Sequence, residues 1–350
     1  MATNSIDQNA ATPAGGDPSA TLALTLATRF AVSLLPAEKA DFDSERLAEA
    51  ARFAMIAAHR RRGSEPSMAI ESVGGSETSA RYLRIAVVND DMPFLVDSIT
   101  ATIAEQGLSI DRLAHPVVAV RRDADGHLVD LPEGEAPGEI RESIVYLETE
   151  RADAKARREL TNALAATLGD VHAAVADWPR MQAAMQEDAR RLADPEGAAL
   201  LRWLADGMLT QLGHVTRRRD GHEENQLGIC RASDQPLLAP SSYERAFAWF
   251  DHVGESGAGR APLIVKANRI ARVHRRVPLD LFIVPVIEQG QVVALSVHAG
   301  VWTSAALAAA WSSSRASIWA MVARATAKSR ASCGWAMAWA SSGRCAVRAQ

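Results

Sequence analysis

The chain has 350 residues, 48% hydrophobic and 23% charged, with a formal net charge of −4. That is enough apolar material for two or three globular domains, and it lacks the overall basic footprint of a nucleic-acid binder. The three cysteines (Cys230, Cys333 and Cys345) form no Cys-Xaa-Xaa-Cys pair, which argues against a disulfide framework and a structural zinc site. No stretch reaches the roughly 18 apolar residues of a membrane span, and no basic segment leads into an apolar run at the N-terminus. A cytoplasmic protein with no membrane or nucleic-acid partner is expected.

In chain order, residues 1–20 are small and polar and read as disordered. Residues 21–78 read as N-terminal helices: an apolar stretch at 21–35, then an amphipathic one at 40–62, ending in Gly/Ser-rich breakers. The segment from Tyr82 to Val88 is a strand rich in β-branched residues, closed by Asn89-Asp90-Asp91. Beyond Pro93, the residues Phe94, Leu95, Val96, Ile99 and Ile103 fall at helical spacing. Asp90 or Asp91 is expected to cap that helix, an interaction worth about 1 kcal/mol, and Gly107 to stop it. Residues 108–122 read as one long strand, 123–126 as a turn and 127–131 as the second arm of a hairpin. Alternation at 143–150 gives another strand, and helices are expected at 153–168 and 171–193. The order approaches the β-α-β-β-α-β pattern of a ferredoxin-like domain at 79–193, with the last strand not evident. The class is α+β, an antiparallel sheet with helices, not a doubly wound nucleotide fold.

A second α+β unit spans 194–300. A helix at 198–205 leads into short strands at 209–216, 227–230, 263–266, 281–287 and 292–298, with Arg217, Arg218 and Arg219 in a polar turn. Residues 301–310 look like the start of a further, cut domain. From Trp311 to Gln350 the text changes: no Asp, Glu, Leu or Pro, four of the eight tryptophans, and a charge of +6 from five Arg and one Lys. This composition suits an out-of-frame reading of a GC-rich gene better than a basic Trp-rich membrane or nucleic-acid segment, so the tail is read as aberrant.

The residues offer little chemistry. A dinucleotide site needs a Gly-rich turn between a strand and a helix, whereas Gly254, Gly257 and Gly259 precede a strand. No catalytic, cofactor-binding or metal-binding residue is assigned. Asp90, Asp91 and Asp97 could be a metal or acid–base cluster, but helix capping explains the first two more simply. His222-Glu223-Glu224 lacks the spacing of a zinc site. Trp178 and Trp203 read as core or interface residues. Asn89, Asp90 and Asp91, together with the polar run Lys266, Asn268, His274 and Arg275, are the candidate regulatory-ligand or interdomain contacts.

Several strings, in order, resemble the large NAD-specific glutamate dehydrogenases of bacteria. They are Val88-Asn-Asp-Asp-Met-Pro-Phe-Leu-Val-Asp-Ser98, His115-Pro-Val-Val-Ala-Val-Arg-Arg-Asp-Ala-Asp-Gly126, Glu142-Ser143, Asp177-Trp178-Pro179, Leu201-Arg-Trp-Leu-Ala-Asp-Gly207, Leu263-Ile-Val-Lys-Ala-Asn268, Val273-His274-Arg275 and Gly300-Val-Trp-Thr-Ser-Ala305. The resemblance covers roughly residues 30–308. It implies an ACT-like domain followed by a PAS-like one, far upstream of the catalytic domain. The full protein would oxidise L-glutamate with NAD as a homo-oligomer. This chain would be its N-terminal regulatory and assembly portion, inactive alone and without a cofactor of its own. The alternatives are a stand-alone module sensing an amino-acid effector, or a non-functional fragment. Two departures stand out. Phe94 replaces the Gly of the Asp-Xaa-Pro-Gly-Leu turn that lets an amino acid approach the ACT backbone. In the PAS-like unit His214 stands where the resemblance implies a tyrosine, and Met208 where it implies an aromatic residue or a histidine, which points to a unit without ligand.

Overall fold

The computed structural model describes residues 18–34, 36, 39, 42–74, 81–133, 140–231, 236–255 and 260–303. The expectations for residues 1–17, for 304–310, for the 311–350 tail and for Gly257 and Gly259 lie outside these. Two compact units emerge, one within Met1–Val96 and Thr102–Leu164, the other within Asp97–Ala101 and from Ala165 onward.

The first unit is built on an antiparallel sheet. Its strands are β1 (Ser67–Val73), β2 (Tyr82–Asp90), β3 (Ile110–Ala114), β4 (Val117–Arg122), β5 (Leu128–Asp130) and β6 (Ile140–Glu150), in the order β1-β2-β6-β4-β5 with β3 also on β6. The helices are α1 (Pro18–Ser33), α2 (Ser44–Ala58), α3 (Leu95–Glu105) and the opening turns of α4 (Ala154–Arg191). The single long strand expected over 108–122 is two strands. Pro116 has no N–H for the ladder and breaks the pairing, yet both halves stay on β6, Ile110 to Ala114 against Thr149 to Tyr146 and Val117 to Val120 against Ser143 to Ile140. The ferredoxin-like pattern lacks a closing strand after α4. Its place beside β2 is filled by β1, which comes earlier in the chain and pairs with β2 along its whole length. The Gly/Ser/Pro flanks that read as breakers enclose this strand.

Strand alternation gives the sheet two buried faces. On one, Ala86, Val88, Val118, Val120, Ile144 and Tyr146 form a core with α1 and α2. The α2 surface is mostly alanine (Ala50, Ala51, Ala54, Ala57 and Ala58, all buried), so the helix backbone can lie close to the strands. Tyr146 is the centre, with Phe30, Phe42 and Phe53 ring centroids at 6.1, 6.5 and 6.3 Å. The other face presents Leu83, Ile85, Val87, Val145 and Leu147, all fully buried, and α3 and α4 contribute Leu95, Ile103, Leu160 and Leu164 of like burial.

The second unit contains the rest of α4, α5 (Pro195–Trp203), a π-helical turn (Leu204–Met208), β7 (Leu209–Arg218), β8 (Glu223–Gly228), α6 (Pro240–Glu255), β9 (Leu263–Ile270), β10 (Pro278–Glu288) and β11 (Gln291–Trp302). Its antiparallel sheet runs β8-β7-β11-β10-β9. The second half of α4 and α5 form a core with one face through Met185, Ala189, Leu200, Leu201, Leu204, Ile264, Phe282 and Val284. Instead of the two helices expected at 153–168 and 171–193, α4 is one helix of 38 residues. Its buried Leu160, Leu164, Leu168, Val171, Ala174, Met181 and Met185 keep helical phase across Gly169, and one glycine costs only about 1 kcal/mol. Arg217 and Arg218 belong to β7 and not to a turn. The helix α6 was not expected, although Tyr243, Ala246, Phe247 and Phe250 bury at i, i+3, i+4 and i+7.

Gly126, at φ +83°, closes the β4–β5 hairpin against the chain leaving α2. Its carbonyl accepts the Arg61 N–H at 3.0 Å, and a Cβ there would lie 1.9 Å from the Arg61 carbonyl oxygen. Gly126→Ala is expected to destabilise the first unit by roughly 2–3 kcal/mol, read as a lower urea midpoint.

Candidate functional site

The strand end predicted as a site proves to be the rim of a buried charge cluster. Asn89 is fully buried, and its Nδ2 donates to the Asp90 carbonyl at 3.0 Å. The Asp90 carboxylate accepts from Arg61 at 2.9 Å. Arg61 also donates to Glu142 at 2.6 Å, and Arg122 grips both Glu142 oxygens at 2.8 and 2.7 Å. Remaining guanidinium hydrogens go to backbone carbonyls: Glu65 from Arg61, and Ala58 and Gly126 from Arg122. Arg61 and Glu142 side chains are each 1% exposed. With its donors and acceptors so engaged and its charges paired, this cluster holds β2, β4, β6 and the post-α2 segment together.

Asp91 faces solvent. Its carboxylate accepts from Ser143 Oγ at 3.1 Å, and its N–H donates to the Arg141 carbonyl at 3.1 Å. Burial lowers the pKa of nearby His115, against the pull of Asp91. Neither Asp90 nor Asp91 caps α3: both are drawn back onto the sheet, and the N-cap position falls to Phe94 without a side-chain hydrogen bond. Phe94 has φ +69°, the left-handed conformation that the Gly of an ACT turn would adopt freely. For an L-residue this costs on the order of 1–2 kcal/mol.

Two members of the second predicted group, Lys266 and Arg275, meet at a buried acid. Lys266 on β9 pairs with Asp280 on β10 at 2.7 Å. Burial raises the Asp280 pKa, opposed by Lys266 and Arg275, and Arg275 donates to the Trp302 carbonyl. Asn268 is exposed on β9, and His274 occupies the β9–β10 connection at φ +66°. Lys266 and Arg275 therefore share a task, neutralising Asp280, that Asn268 does not join.

Sequence reasoning missed a third cluster, on the sheet face under α4. Asp188 accepts from Ser296 Oγ at 2.5 Å and lies 2.7 Å from His298 Nε2, while His214 stacks on His298 at 4.6 Å between centroids. The signal was Ser296 and His298 at i, i+2 on one strand, with His214 opposite His298 in register. These are the residue types of a catalytic triad in the wrong order. The acid sits in the middle, and the one His298 nitrogen near Ser296, at 3.4 Å, is the nitrogen engaged by Asp188. Serine, both histidines and the acid are all buried, so the group is a polar core. Burial pushes Asp188 up, but hydrogen bonds from His298 and Ser296 outweigh it and hold its pKa low. Burial, helped by His298, pushes His214 down to about 3.

Two outcomes follow. Glu142→Gln leaves two buried guanidinium groups short of a charge and is expected to destabilise the chain by about 3–5 kcal/mol, measured by urea unfolding. His214 is neutral when folded, whereas the unfolded imidazole takes a proton below its usual pKa. Stability is therefore complete above pH 6.5 and falls as pH drops toward about 3, on the order of 1 kcal/mol per pH unit. His214→Gln should flatten that part of the acid-denaturation curve.

Residues 26–164 match the family model described as "Glutamate dehydrogenase, ACT1 domain". Two relatives, both NAD-specific glutamate dehydrogenases, are 34% identical: that of Pseudomonas aeruginosa over 172 residues and that of Halomonas elongata over 175. Each alignment covers 43% of this chain and 11% of the relative, so the match spans about a tenth of the relatives' length. Among solved structures, an RNA-binding light-oxygen-voltage receptor aligns over 78% of this chain and 85% of its own at 10% identity, with a TM-score of 0.16, too low to carry an argument. The family match covers α2, the strands β1 to β6 and α3, the elements that hold the Arg61–Glu142–Arg122 cluster. Residues 26–164 of this chain are thus similar to the glutamate dehydrogenase ACT1 domain and to the NAD-specific enzymes that share this stretch.

Proposed function

We propose that the chain serves as the N-terminal regulatory and assembly portion of an NAD-dependent glutamate dehydrogenase, whose complete form converts L-glutamate, NAD and water to 2-oxoglutarate, ammonia and NADH. The observation that carries this reading is the ACT1 match over 26–164, joined to a first sheet in which Arg61, Arg122, Glu142 and Asp90 pair with one another across the strands. NAD and the glutamate-oxidising residues belong on this reading to a downstream domain, and the partners are that domain and further copies of the enzyme. A PAS-like character for the second unit is supported by its strand order, 2-1-5-4-3 in its own numbering, with α6 inserted between the second and third strands. Among the described residues no helix is long and apolar enough to cross a membrane, in keeping with a cytoplasmic setting.

Two measurements test the proposal. The chain alone, given L-glutamate and NAD, is expected to form no NADH by absorbance. Replacing the matching stretch of the Pseudomonas aeruginosa enzyme with residues 26–164 is expected to keep turnover and oligomeric state, while excising that stretch disrupts assembly or effector response. An excised enzyme that assembles and responds normally would sink the reading.

A further inference from the structure

Each sheet of the protein ends in two edge strands, and an edge strand offers a row of N–H and C=O groups to any chain that can add to it. Short length, charged side chains and bulges are the devices that guard such edges, and three of the four edges here have them. β5 is three residues long and carries Asp130. β8 bears Glu223 and Glu224, takes Asn225 through φ +55° and slips register against β7. β9 bears Lys266 and Arg269 and slips register against β10.

The fourth edge, β1, has none of these devices. It runs for seven residues without proline, lysine or arginine, and its register against β2 is unbroken from Ser67 opposite Val88 to Val73 opposite Tyr82. Among the described residues, only β2 pairs with it. Its one charge, Glu71, is held by the Arg84 guanidinium at 2.5 Å. Met68 and Ile70 stand opposite Val87 and Ile85 and share their face of the sheet, yet both remain only half-buried.

The order of residues along this edge suits a second copy of itself. A two-fold axis through Ile70 pairs the whole strand: Ser67 with Val73, Met68 with Ser72, Ala69 with Glu71, and Ile70 with its own counterpart. Isoleucine then meets isoleucine, a β-branched pair that packs well on a pleated surface. Glu71 meets Ala69, so like charges do not stand directly opposite, where they destabilise a strand pair. The two Glu71 side chains fall on a diagonal, each with its own Arg84. Parallel pairing in register would instead set Glu71 against Glu71. A two-fold contact also closes on itself, and the three-residue β5 at the far edge gives little start for a third copy.

We propose that β1 is the contact surface for a second copy of this chain, pairing antiparallel about Ile70 with the β1 of that copy and joining the two first sheets into one. Such a contact gives the assembly role proposed above a surface and rests on that reading for its purpose alone. Self-association of this chain can fail while the excised Pseudomonas aeruginosa enzyme still loses assembly, and the reverse.

The test is sedimentation of the full chain across the micromolar range, with two variants. The wild-type chain is expected to form a discrete dimer. Ser72→Lys adds the usual edge guard at an exposed position. It is expected to keep the melting temperature and weaken the dimer at least tenfold. Ile70→Cys is expected to give a reducible crosslinked dimer under mild oxidation, well above the level of the wild-type chain and of Ser72→Cys, because only position 70 meets its own counterpart. Should Ile70→Cys fail to fold, the response to Ser72→Lys decides alone. A monomer at every concentration overturns the proposal, as does association into particles of indefinite size. So does a dimer that folded Ser72→Lys leaves intact, or one in which Ile70→Cys crosslinks no better than Ser72→Cys.

Discussion

Glu142 cannot be buried alone. A carboxylate at 1% exposure is tolerable only if opposite charge and hydrogen bonds replace the water it has lost, and two arginines do so from different parts of the chain. Arg61 comes from the segment after α2 and Arg122 from the end of β4, and Asp90 at the end of β2 balances the second positive charge. The order of strands across the first sheet, β2 beside β6 beside β4, is the order in which these charges meet. The hairpin glycine, the return of the chain after α2 and the broken strand at Pro116 are all fitted around that arrangement. The acid-rich strand end thus fastens β2 to the rest of the sheet through Asp90.

The second unit solves a comparable problem with less charge. Its sheet turns one polar patch toward α4, and Asp188 collects a serine and a histidine there while a second histidine stacks beside them. Farther along the same helix Asp177, 1% exposed, accepts the Gly228 N–H at 2.8 Å and pairs with Arg231 and Arg180. Gly228 has φ +58°, and its space is bounded by the Leu212 carbonyl, so only glycine presents its amide there. Both acids lie on one face of α4, and both engage strands of the second sheet.

Local pattern made much of this legible. The strands at Tyr82–Asp90, Leu209–Arg218 and Gln291–Trp302 are β-branched or alternating, and the helix after Pro93 keeps its spacing. What pattern could not supply was pairing partner. β1 has modest apolar content and breaker residues at both ends, so only its match to β2, residue by residue, makes it a strand. Glu142 was visible as part of a family motif, yet nothing near it in sequence announces Arg61, 81 residues earlier. The capping role read for Asp90 and Asp91 was sound as a local argument and lost to a stronger distant one, a guanidinium at 2.9 Å for the first and the Ser143 hydroxyl for the second. Lys266 and Arg275 were picked out as a polar run, but their shared acid, Asp280, sits across a strand pair.

The placement of β1 bears on the order in which the chain can acquire structure. A ferredoxin-like sheet closed by a strand after its second helix must wait for that helix to be made before its edge is covered. Here the edge strand and its neighbour are joined by a short connection and pair locally, so loop closure costs little. Every strand of the first sheet has been synthesised once Glu150 is made, while α4 and the second sheet are still to come. Vectorial synthesis, in which domains fold as units from the N-terminus, then meets a sheet that needs nothing from downstream to complete its hydrogen-bonded ladder.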